Sequence, residues 1–433
     1  MIKFNWETEF KKTEIGEIPR EWEVKKIKEV GEIAGGTTPS TKKKEYWDGR
    51  IPWLTPKDLR DYEYVYISRG ERNITEKAVK ECSLKIFPEG TVLLTTRAPI
   101  GYVAIAKNQI TTNQGFRNIV PHKIKSEYLY YYLKNVTDYL KSLAGGSTFG
   151  ELTGSTLKEV LIPHPSPSEQ SRIATVLSWF DDLIENKKRQ NEILEKVAMA
   201  IFKSWFVDFE PFKDEEFVYS EELGKEISKG WEVKPIDAVA EFVKGLSYRS
   251  NELVDNLTEG EIFITLKIFK RGGGFRPEYK YYRGNRYSDE QVVYDGDLVI
   301  ALTDMTSDAK VVGAPALVIL PPYKDKGILS LDAAKLNVPQ YMKEYAYLYL
   351  KDSQEENSTF ANGVNVLHLN LNLFKIGKLI LIPPQPILQH FHFLVEPLFQ
   401  KIILNQKQIM VLRKIRDVLL PQLVFGKLEV VEL

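Results

Sequence analysis

The chain carries the same phrase at two places. IPREWEVKKIKEVGEIAGG spans Ile18–Gly36 and ISKGWEVKPIDAVAEFVKG spans Ile227–Gly245, with Trp22 matching Trp231 and an identical Glu-Val-Lys after each tryptophan. The two tryptophans lie 209 residues apart, which is too long a period for the units of a solenoid protein. The repeat therefore predicts a duplicated module of domain size.

Further matches follow in the same order along the chain. The matched stretches are Glu127–Lys134 (EYLYYYLK) with Glu344–Lys351 (EYAYLYLK), Ser147–Phe149 with Ser358–Phe360, and Leu161–Pro163 with Leu381–Pro383. The distance between matched residues rises only to 220 at Pro163, which indicates small insertions inside the second copy. Four ordered matches make a duplication the interpretation to adopt.

The first part of each copy mixes short strand patterns with helices. Thr91–Thr96 follows a Pro-Glu-Gly turn, Leu298–Leu302 follows an Asp-Gly-Asp turn, and Ser126–Asn135 is the clearest helix. This pattern over about 150 residues is typical of one α+β domain.

The second part of each copy follows a proline-rich hinge and has a heptad pattern of mostly apolar residues. The predicted seam positions are Ile173, Leu177, Phe180, Ile184, Lys187, Asn191, Leu194, Ala198, Ile201 and Trp205 in copy one, and Phe391, Val395, Leu398, Ile402, Asn405, Ile409, Leu412, Arg416, Leu419 and Leu423 in copy two. Each helix would have about 34 residues and a length of about 50 Å.

A domain of this size is too compact to bury so long a helix, so the two helices are expected to pack on each other. If the copies are related by a pseudo-two-fold axis, the helices form an antiparallel coiled coil, with Asn191 and Asn405 fixing the register. The predicted organisation is a globular α+β domain over 1–166 with a short N-terminal segment, a long helix over 167–210, a second α+β domain over 211–385, and a second long helix with a C-terminal tail over 386–433.

Composition excludes several classes of protein. The 433 residues include 59 Lys and Arg against 59 Asp and Glu, so no net charge attracts the chain to nucleic acid or membrane. The one cysteine, Cys82, excludes thiolate metal sites, and the five histidines are not at metal-ligand spacing. No phosphate-binding loop is present, and no segment is apolar enough to span a bilayer. We therefore expect a cytoplasmic, non-catalytic protein without a metal site.

Two similar domains at a fixed separation suit an extended repetitive target, and duplex DNA, with a turn of about 35 Å, is the obvious one. Basic and polar residues in or near glycine-rich loops are the candidates for DNA contact, and amide and guanidinium groups are the candidates for reading base edges. These candidates are Thr38, Ser40, Lys42, Lys43, Lys44, Lys57, Arg97, Asn113, Gln114 and Arg117 in copy one, and Lys244, Tyr248, Arg249, Lys267, Lys270, Arg271 and Arg276 in copy two. The alternative is that they form ordinary solvated loops and turns.

The long helices carry more apolar residues than a two-helix seam requires. These are Trp179, Phe180, Leu183, Phe202, Trp205 and Phe206 on the first helix, and Leu394, Phe399 and Phe425 on or near the second. They predict a surface for partner proteins, with packing against the adjoining domain as the alternative. Two other functions stay open at this point: an architectural DNA-binding protein without an enzyme partner, and a scaffold whose end domains bind proteins or glycans.

Local phrases resemble the specificity subunit of type I restriction–modification systems. They include Gly36–Ser40 with Tyr46-Trp47, Ile51–Leu54, Ile184–Lys187 and Phe202–Phe206, and the resemblance covers nearly the whole chain. Copy two departs from it, with Gly245-Leu246-Ser247 in place of the Gly-Thr-Thr-Pro-Ser stretch.

The resemblance implies that each globular domain is a target recognition domain for one half of a bipartite, asymmetric double-stranded DNA sequence. It also implies that the helices set the gap between the halves and dock two methyltransferase subunits, which bind S-adenosylmethionine, while translocating nuclease subunits complete the complex. No cofactor would be bound by this chain.

Overall fold

The computed structural model describes residues 3–60, 62–145, 150–256, 258–306, 308–364 and 366–432. The repeated Ser147–Phe149 lies outside the described residues. The chain forms two compact units: unit 1 consists of Met1–Glu185 with Leu412–Leu433, and unit 2 consists of Asn186–Val411. Each unit thus contains part of both long helices.

The elements of the first copy, in chain order, are β1 (Lys3–Trp6), β2 (Phe10–Thr13), β3 (Gly16–Pro19), β4 (Glu23–Lys26), α1 (Ile27–Val30), β5 (Gly31–Gly35), β6 (Trp47–Leu54), β7 (Tyr66–Ile67), β8 (Arg72–Ile74), α2 (Glu76–Glu81), β9 (Val92–Thr96), β10 (Ile100–Ala106), β11 (Thr111–Thr112), β12 (Phe116–Pro121), α3 (Ser126–Asn135), α4 (Thr137–Ser142), α5 (Gly154–Glu159), β13 (Leu161–His164) and the long helix α6 (Pro167–Phe206).

The elements of the second copy are β14 (Phe217–Ser220), β15 (Lys225–Ser228), β16 (Glu232–Pro235), β17 (Glu241–Lys244), β18 (Leu253–Val254), β19 (Glu261–Ile264), β20 (Lys280–Tyr282), β21 (Val292–Val293), β22 (Leu298–Ala301), β23 (Thr303–Asp304), β24 (Pro315–Leu317), β25 (Gly327–Leu329), β26 (Ala333–Asn337), α7 (Lys343–Asp352), α8 (Gln354–Ser358), β27 (Ala361–Asn362), β28 (Leu367–Leu369), α9 (Leu371–Gly377), β29 (Leu379–Ile382), the long helix α10 (Gln385–Val424) and β30 (Leu428–Glu432).

The sheets of the two units follow one plan. Unit 1 has a sheet of order β5-β12-β9-β10-β7 and a second of order β11-β6-β8, and unit 2 has β17-β26-β22-β24 and β18-β20-β19-β25-β21. In each unit one pair of the second sheet is parallel, β6 with β11 and β19 with β25. The predicted α+β class and the duplication are therefore confirmed.

The repeated phrases at the two ends of each copy pair with each other. β4 runs antiparallel to β13, with Lys26 opposite Leu161, and β16 runs antiparallel to β29, with Glu232 opposite Ile382. The tryptophan preceding each first strand is buried in its unit. This pairing joins the start of each copy to its end.

Tyrosines of α3 and α7 form the centre of each core. Tyr128 and Tyr345 are both fully buried, and burial raises the pKa of each phenol well above its ordinary value. Each hydroxyl still donates a hydrogen bond, Tyr128 to the carbonyl of Pro163 at 3.1 Å and Tyr345 to the carbonyl of Leu381. These bonds satisfy the buried hydroxyls and tie each helix to the strand before the long helix.

Helix α6 begins with a complete capping box. The Ser166 hydroxyl accepts from the backbone N–H of Glu169 at 3.3 Å, and the Glu169 carboxylate accepts from the Ser166 backbone at 3.0 Å. Pro167 occupies the first helical position, where its missing N–H costs nothing.

The long helices have 40 residues each and pack antiparallel, as predicted. In unit 1, Ile173 and Leu177 share a core with Leu423. In unit 2, the ammonium of Lys187 donates to Gln408 at 2.6 Å, while further along α6 the Phe206 ring packs 4.9 Å from that of Phe391. Contacts that advance along one helix therefore move backwards along the other.

The predicted seam asparagines contact each other in unit 2. The side-chain amide of Asn405, which is fully buried, donates to the side-chain oxygen of Asn191 at 2.9 Å. The same amide lies 3.2 Å from the side-chain oxygen of Gln190. A buried amide that needs these partners disfavours a shifted register.

The end of the chain forms a strand that the sequence did not indicate. β30 pairs antiparallel with β1, with Phe4 opposite Val430 and Trp6 opposite Leu428. Residues after the second helix had been expected to form a tail. The pairing places the first strand of the chain against the last one within unit 1.

Candidate nucleic-acid interface

The glycine-rich loop of unit 1 leaves β5 through a close backbone contact. A Cβ atom on Gly36 would lie 2.1 Å from the carbonyl oxygen of Thr112, so only glycine fits there. Two indoles then hold the loop: Trp53 donates to the carbonyl of Thr37 at 3.0 Å and Trp47 donates to that of Ser40 at 3.2 Å. The loop is therefore fixed by the sheet of order β11-β6-β8.

Several predicted contact residues meet on this loop. The exposed hydroxyl of Thr38 donates to the side-chain oxygen of Gln114. The neighbouring Asn113 accepts from the backbone N–H of Gly115 at 2.9 Å, which fixes the turn. The structure thus brings Thr38 into contact with Gln114, one of the predicted base-reading amides, which follows Asn113 in the chain.

The lysine triplet follows at the far end of the loop. Lys42, Lys43 and Lys44 are all exposed. The Lys43 ammonium donates to the hydroxyl of Tyr46 at 2.8 Å, and this hydrogen bond is the main cause that raises the pKa of Lys43. The Tyr46 hydroxyl in turn donates to Glu81 at 2.6 Å. A positive edge therefore lies next to an ordered aromatic side chain.

The remaining predicted cations of copy one differ in their availability. Arg97 is exposed, and Lys57 is exposed in an ion pair with Glu71 at 3.0 Å. Arg117 lies 3.1 Å from the carboxylate of Glu151 and keeps only 22% of its side chain exposed. Arg117 therefore stabilises the loop and has little exposure to solvent.

The structure adds Arg72, which the sequence analysis missed. Its guanidinium carbon lies 3.5 Å from the centre of the Trp47 ring, and that indole packs edge-on against Trp53 at 5.0 Å. Arg72 is exposed on β8, opposite Trp53 in β6. Nothing in the local spacing marks it, because the stacking depends on strand register. An ordered guanidinium on an aromatic face is suited to phosphate or base contact.

Unit 2 begins its equivalent loop in the same way. Lys244 ends β17, and a Cβ atom on the next residue, Gly245, would lie 2.1 Å from the carbonyl oxygen of Ser330. The Tyr248 hydroxyl then donates to Asp332 at 3.4 Å, and burial together with that carboxylate raises the pKa of Tyr248.

Several cations of the second copy flank an ordered glycine turn in the sequence. Residues 272–274 are glycines with φ of 79°, 98° and 110°, a backbone that other residues rarely adopt. Arg271 forms an ion pair with Asp308, and Arg276 lies 3.4 Å from Glu278. Lys244, Arg249, Lys267 and Lys270 are exposed. Thus the predicted arginines beside this turn are partly neutralised, whereas the lysines are open to solvent.

The predicted docking residues divide into three groups: exposed, buried and partly packed. Trp179, Leu183 and Leu394 keep 40%, 51% and 48% of their surface exposed. Phe202, Phe206 and Phe399 are buried in the core of unit 2, and Phe180, Trp205 and Phe425 pack partly against the cores of their units. Docking is therefore wrong for the three buried phenylalanines, because they cover the adjoining domain, as the alternative proposed.

The described ranges contain neither a metal-ion cluster nor a membrane-spanning helix. Among those residues there is no group of three or more His, Cys, Asp or Glu side chains placed to hold a metal ion. No helix within the same ranges is long and apolar enough to cross a membrane.

Comparison with known proteins decides the family. A model of the type I restriction modification DNA specificity domain matches residues 19–196. The type I restriction enzyme MjaIX specificity subunit of Methanocaldococcus jannaschii is 55% identical over 447 residues, which cover 100% of this chain and 99% of that protein. The chain belongs to the family of type I restriction enzyme specificity subunits.

More distant members of the specificity subunit family match in part or in fold. The EcoR124I/EcoR124II specificity subunit of Escherichia coli is 33% identical over 41% of this chain and 45% of that protein. The crystal structure of the S subunit of a type I restriction–modification system from M. genitalium has a TM-score of 0.54 at 18% identity, covering 93% of this chain and 96% of that one. The latter shows a shared fold.

Proposed function

We propose that this specificity subunit reads a bipartite, asymmetric double-stranded DNA sequence, with residues 1–166 and 211–385 as its two target recognition domains. One observation carries this proposal: both domains begin their loop at the same glycine contact, at Gly36 and at Gly245, but then present different side chains. Different side chains on one scaffold are what two unlike half-sites require.

The loops of unit 1 supply an ordered positive and aromatic surface for one half-site. Phosphate contact would come from Lys42, Lys43, Lys44, Lys57 and Ser40, and base-edge contact from Thr38, Arg97, Asn113, Gln114 and Arg72. Arg117 would act by positioning the loop, because its guanidinium already contacts Glu151 at 3.1 Å. In unit 2 the corresponding groups are Lys244, Tyr248, Arg249, Lys267 and Lys270, with Arg271 and Arg276 supporting the glycine turn.

The proposed role is recognition without catalysis. The chain would act in the cytoplasm with two methyltransferase subunits, which would bind S-adenosylmethionine, and with translocating nuclease subunits. The exposed Trp179, Leu183 and Leu394 are the proposed docking residues for the methyltransferase. No cofactor would bind to this chain itself.

Selection from random duplex DNA tests the proposed reading. The chain would be co-expressed with the methyltransferase subunit encoded beside it, and bound duplexes would be sequenced after selection at low salt. Two short specific blocks separated by a fixed, unspecific gap are expected. A single continuous motif, or no enrichment from a stoichiometric complex, would contradict the proposal.

Co-purification tests the docking surface. Trp179→Asp with Leu183→Asp places two charges on the exposed helix face and should abolish co-purification with the methyltransferase. Tyr139→Asp is the matched control, because Tyr139 is 50% exposed in the same unit but lies on α4. Equal recovery of the methyltransferase with both variants would show that this helix face is not its docking site.

A further inference from the structure

The two long helices correspond residue by residue. Each has 40 residues, so a position in α6 corresponds to the position 218 residues later in α10. Gln190 and Gln408 correspond in this way and make equivalent contacts: Lys187 donates to Gln408 at 2.6 Å, and Asn405 donates to Gln190 at 3.2 Å. The correspondence therefore holds for contacts as well as for numbering.

One corresponding position holds an ion pair in unit 1. Asp181 of α6 contacts Arg416 of α10, and their side chains are only 9% and 12% exposed. Tyr131 of α3 donates to the other oxygen of Asp181 at 2.7 Å. Burial opposes the charged form of Arg416, but the Asp181 carboxylate outweighs it and raises the pKa of the guanidinium. Arg416 also lies 2.7 Å from the exposed carboxylate of Asp417. Asp181 is its buried counter-ion, and neither charge of this pair has much access to water.

The corresponding position in unit 2 is apolar. Phe399 of α10 stands where α6 has Asp181, and Ala198 of α6 stands where α10 has Arg416. Phe399 is 5% exposed and Ala198 is fully buried. The Phe399 ring packs edge-on against Tyr347 of α7 at 5.4 Å. The two units thus use incompatible chemistry at the same place.

A second corresponding position reverses its charge. In unit 1, Arg413 of α10 lies 2.6 Å from Glu63. In unit 2, the corresponding residue of α6 is Glu195, which accepts hydrogen bonds from Lys351 and from Tyr347, the latter at 2.7 Å. Burial opposes the charged form of Glu195, but Lys351 outweighs it and lowers the pKa of the carboxyl group. Each domain therefore presents a side chain whose charge suits the helix packed on it: Glu63 contacts Arg413, and Lys351 contacts Glu195.

Pairing two first copies would place the wrong helix on each domain. Asp181 would meet Ala198 of the other molecule and lose its arginine, and Glu63 would meet Glu195. Lys134, the counterpart of Lys351, could contact Glu195. The site would still lose the guanidinium groups of Arg413 and Arg416 and gain only the carboxylate of Glu195. Burying Asp181 without its counter-ion is strongly unfavourable.

Pairing two second copies would fail for the opposite reason. Lys351 would meet Arg413 instead of Glu195, which places like charges together. Arg416 would be buried against Phe399 with only the exposed carboxylate of its neighbour Asp417 as a counter-ion. The mismatch costs of both like pairings arise at the same two positions, which makes the discrimination mutual.

We propose that these residues form a pairing code: Asp181–Arg416 and Glu63–Arg413 in unit 1, with Phe399–Ala198 and Glu195–Lys351 in unit 2, make each copy of the module select the unlike copy and reject its own kind. The partner that this surface fits is therefore the other half of the same chain, and a second molecule offering the like half is excluded. Glu195 and Lys351 adjoin the glycine turn of the candidate interface, 3.7 Å from the Cβ position of Gly274, whereas the other side chains of the code are not among the proposed DNA contacts.

A nicked full-length chain tests the code. A protease site placed between Lys213 and Asp214, in an exposed turn, leaves both halves present after cleavage. Unlabelled and isotopically labelled nicked protein would be mixed, exchanged in a sub-denaturing concentration of urea, and weighed by native mass spectrometry. Exchange is demonstrated by pairs that combine a labelled half with an unlabelled one. We expect unlike pairs to exceed each like pair by at least about tenfold; statistical amounts of the three pairs would overturn the proposal.

A recoded variant sharpens this experiment. Glu195→Arg with Ala198→Arg gives the first helix the residues of the second, so two N-terminal halves could each supply an arginine to Asp181 and Glu63 of the other. Pairs of N-terminal halves should then become abundant. Ile193→Arg with Ala200→Arg, on the exposed side of the same helix, is the control and should leave the unlike pair dominant. Identical behaviour of both variants would contradict the code.

Thermal unfolding of the uncleaved chain provides a test without exchange. Asp181→Arg and Arg416→Asp should each lower the unfolding midpoint, because each buries two like charges, and the double exchange should recover most of the loss. Additive losses in the double variant would show that the pair does not recognise its partner by charge, and the proposal would fail.

Discussion

The loop after β5 in unit 1 and the loop after β17 in unit 2 begin alike and then diverge. Both leave the sheet through a glycine packed against a carbonyl oxygen, Gly36 against Thr112 and Gly245 against Ser330. In unit 1 the loop continues into a lysine triplet beside two indoles packed edge-on, whereas in unit 2 it leads to Tyr248 hydrogen-bonded to Asp332. The duplicated scaffold thus fixes where a loop starts, while its side chains are free to differ.

Exchange of a whole domain should have the largest effect on this difference between the loops. Replacing residues 18–163 with the equivalent domain of another specificity subunit should change one half of the DNA target completely and leave the other half unchanged. The reason is that β4 pairs with β13, so the exchanged stretch carries with it nearly all of the pairing that joins the start of the domain to its end. Sequencing of selected duplexes measures the result. A change in both half-sites would contradict independent reading by the two loops.

Lengthening both helices should leave both half-sites unchanged but alter the gap between them. One added heptad in each helix, inserted at corresponding positions, extends the pair by about 10.5 Å, or about three base pairs at 3.4 Å each. The heptad keeps the seam residues in phase, so the antiparallel packing should persist. Selected duplexes should carry the same two blocks with a longer gap. An unchanged gap would mean that the helices do not set the spacing.

Removing the guanidinium of Arg72, which stacks on Trp47, should weaken binding only to the half-site that unit 1 reads. Arg72→Ala removes the cation over Trp47, and a base contact made by arginine is worth about 1–3 kcal/mol. Binding to the selected duplex should fall accordingly, with relaxed specificity at a position in one half-site. Arg60→Ala is the matched control, since Arg60 is exposed nearby but outside the indole stack. Equal losses of affinity with both variants would show that Arg72 contributes only its positive charge.

Much of the fold could be predicted from the sequence because the evidence for it is repeated. The duplication, the α+β class and the antiparallel helices all follow from ordered matches and heptad spacing. The pairing of β1 with β30 could not be predicted, because a short exposed strand has no periodicity of its own. Arg72 was missed for a related reason: it reaches Trp47 through the register between β6 and β8, which sequence distance does not reveal.

The docking prediction failed for Phe202, Phe206 and Phe399 because an apolar helix face does not state what covers it. A helix beside a domain buries aromatic residues on that domain, and the heptad pattern cannot separate this from a surface for another protein. A charged residue in an apolar seam indicates the packing of that seam more specifically than the apolar residues do. Arg416 interrupts an apolar seam, and the structure shows that its counter-ion is Asp181 on the other long helix.

Neutralising the lysine triplet should have the smallest effect and the least specific one. Replacing Lys42, Lys43 and Lys44 with glutamine removes positive charge without touching the indoles, so affinity should fall by a similar factor for selected and random duplexes. The slope of log affinity against log salt concentration should fall by about 0.9 for each phosphate that the variant no longer neutralises. The same treatment of Lys267 and Lys270 in unit 2 gives a direct comparison of the two loops. The triplet variant could instead change specificity at one base pair and leave the salt dependence intact. These lysines would then read bases. The proposed roles in unit 1, with lysines contacting phosphate and Arg72 and the amides contacting bases, would have to be reversed.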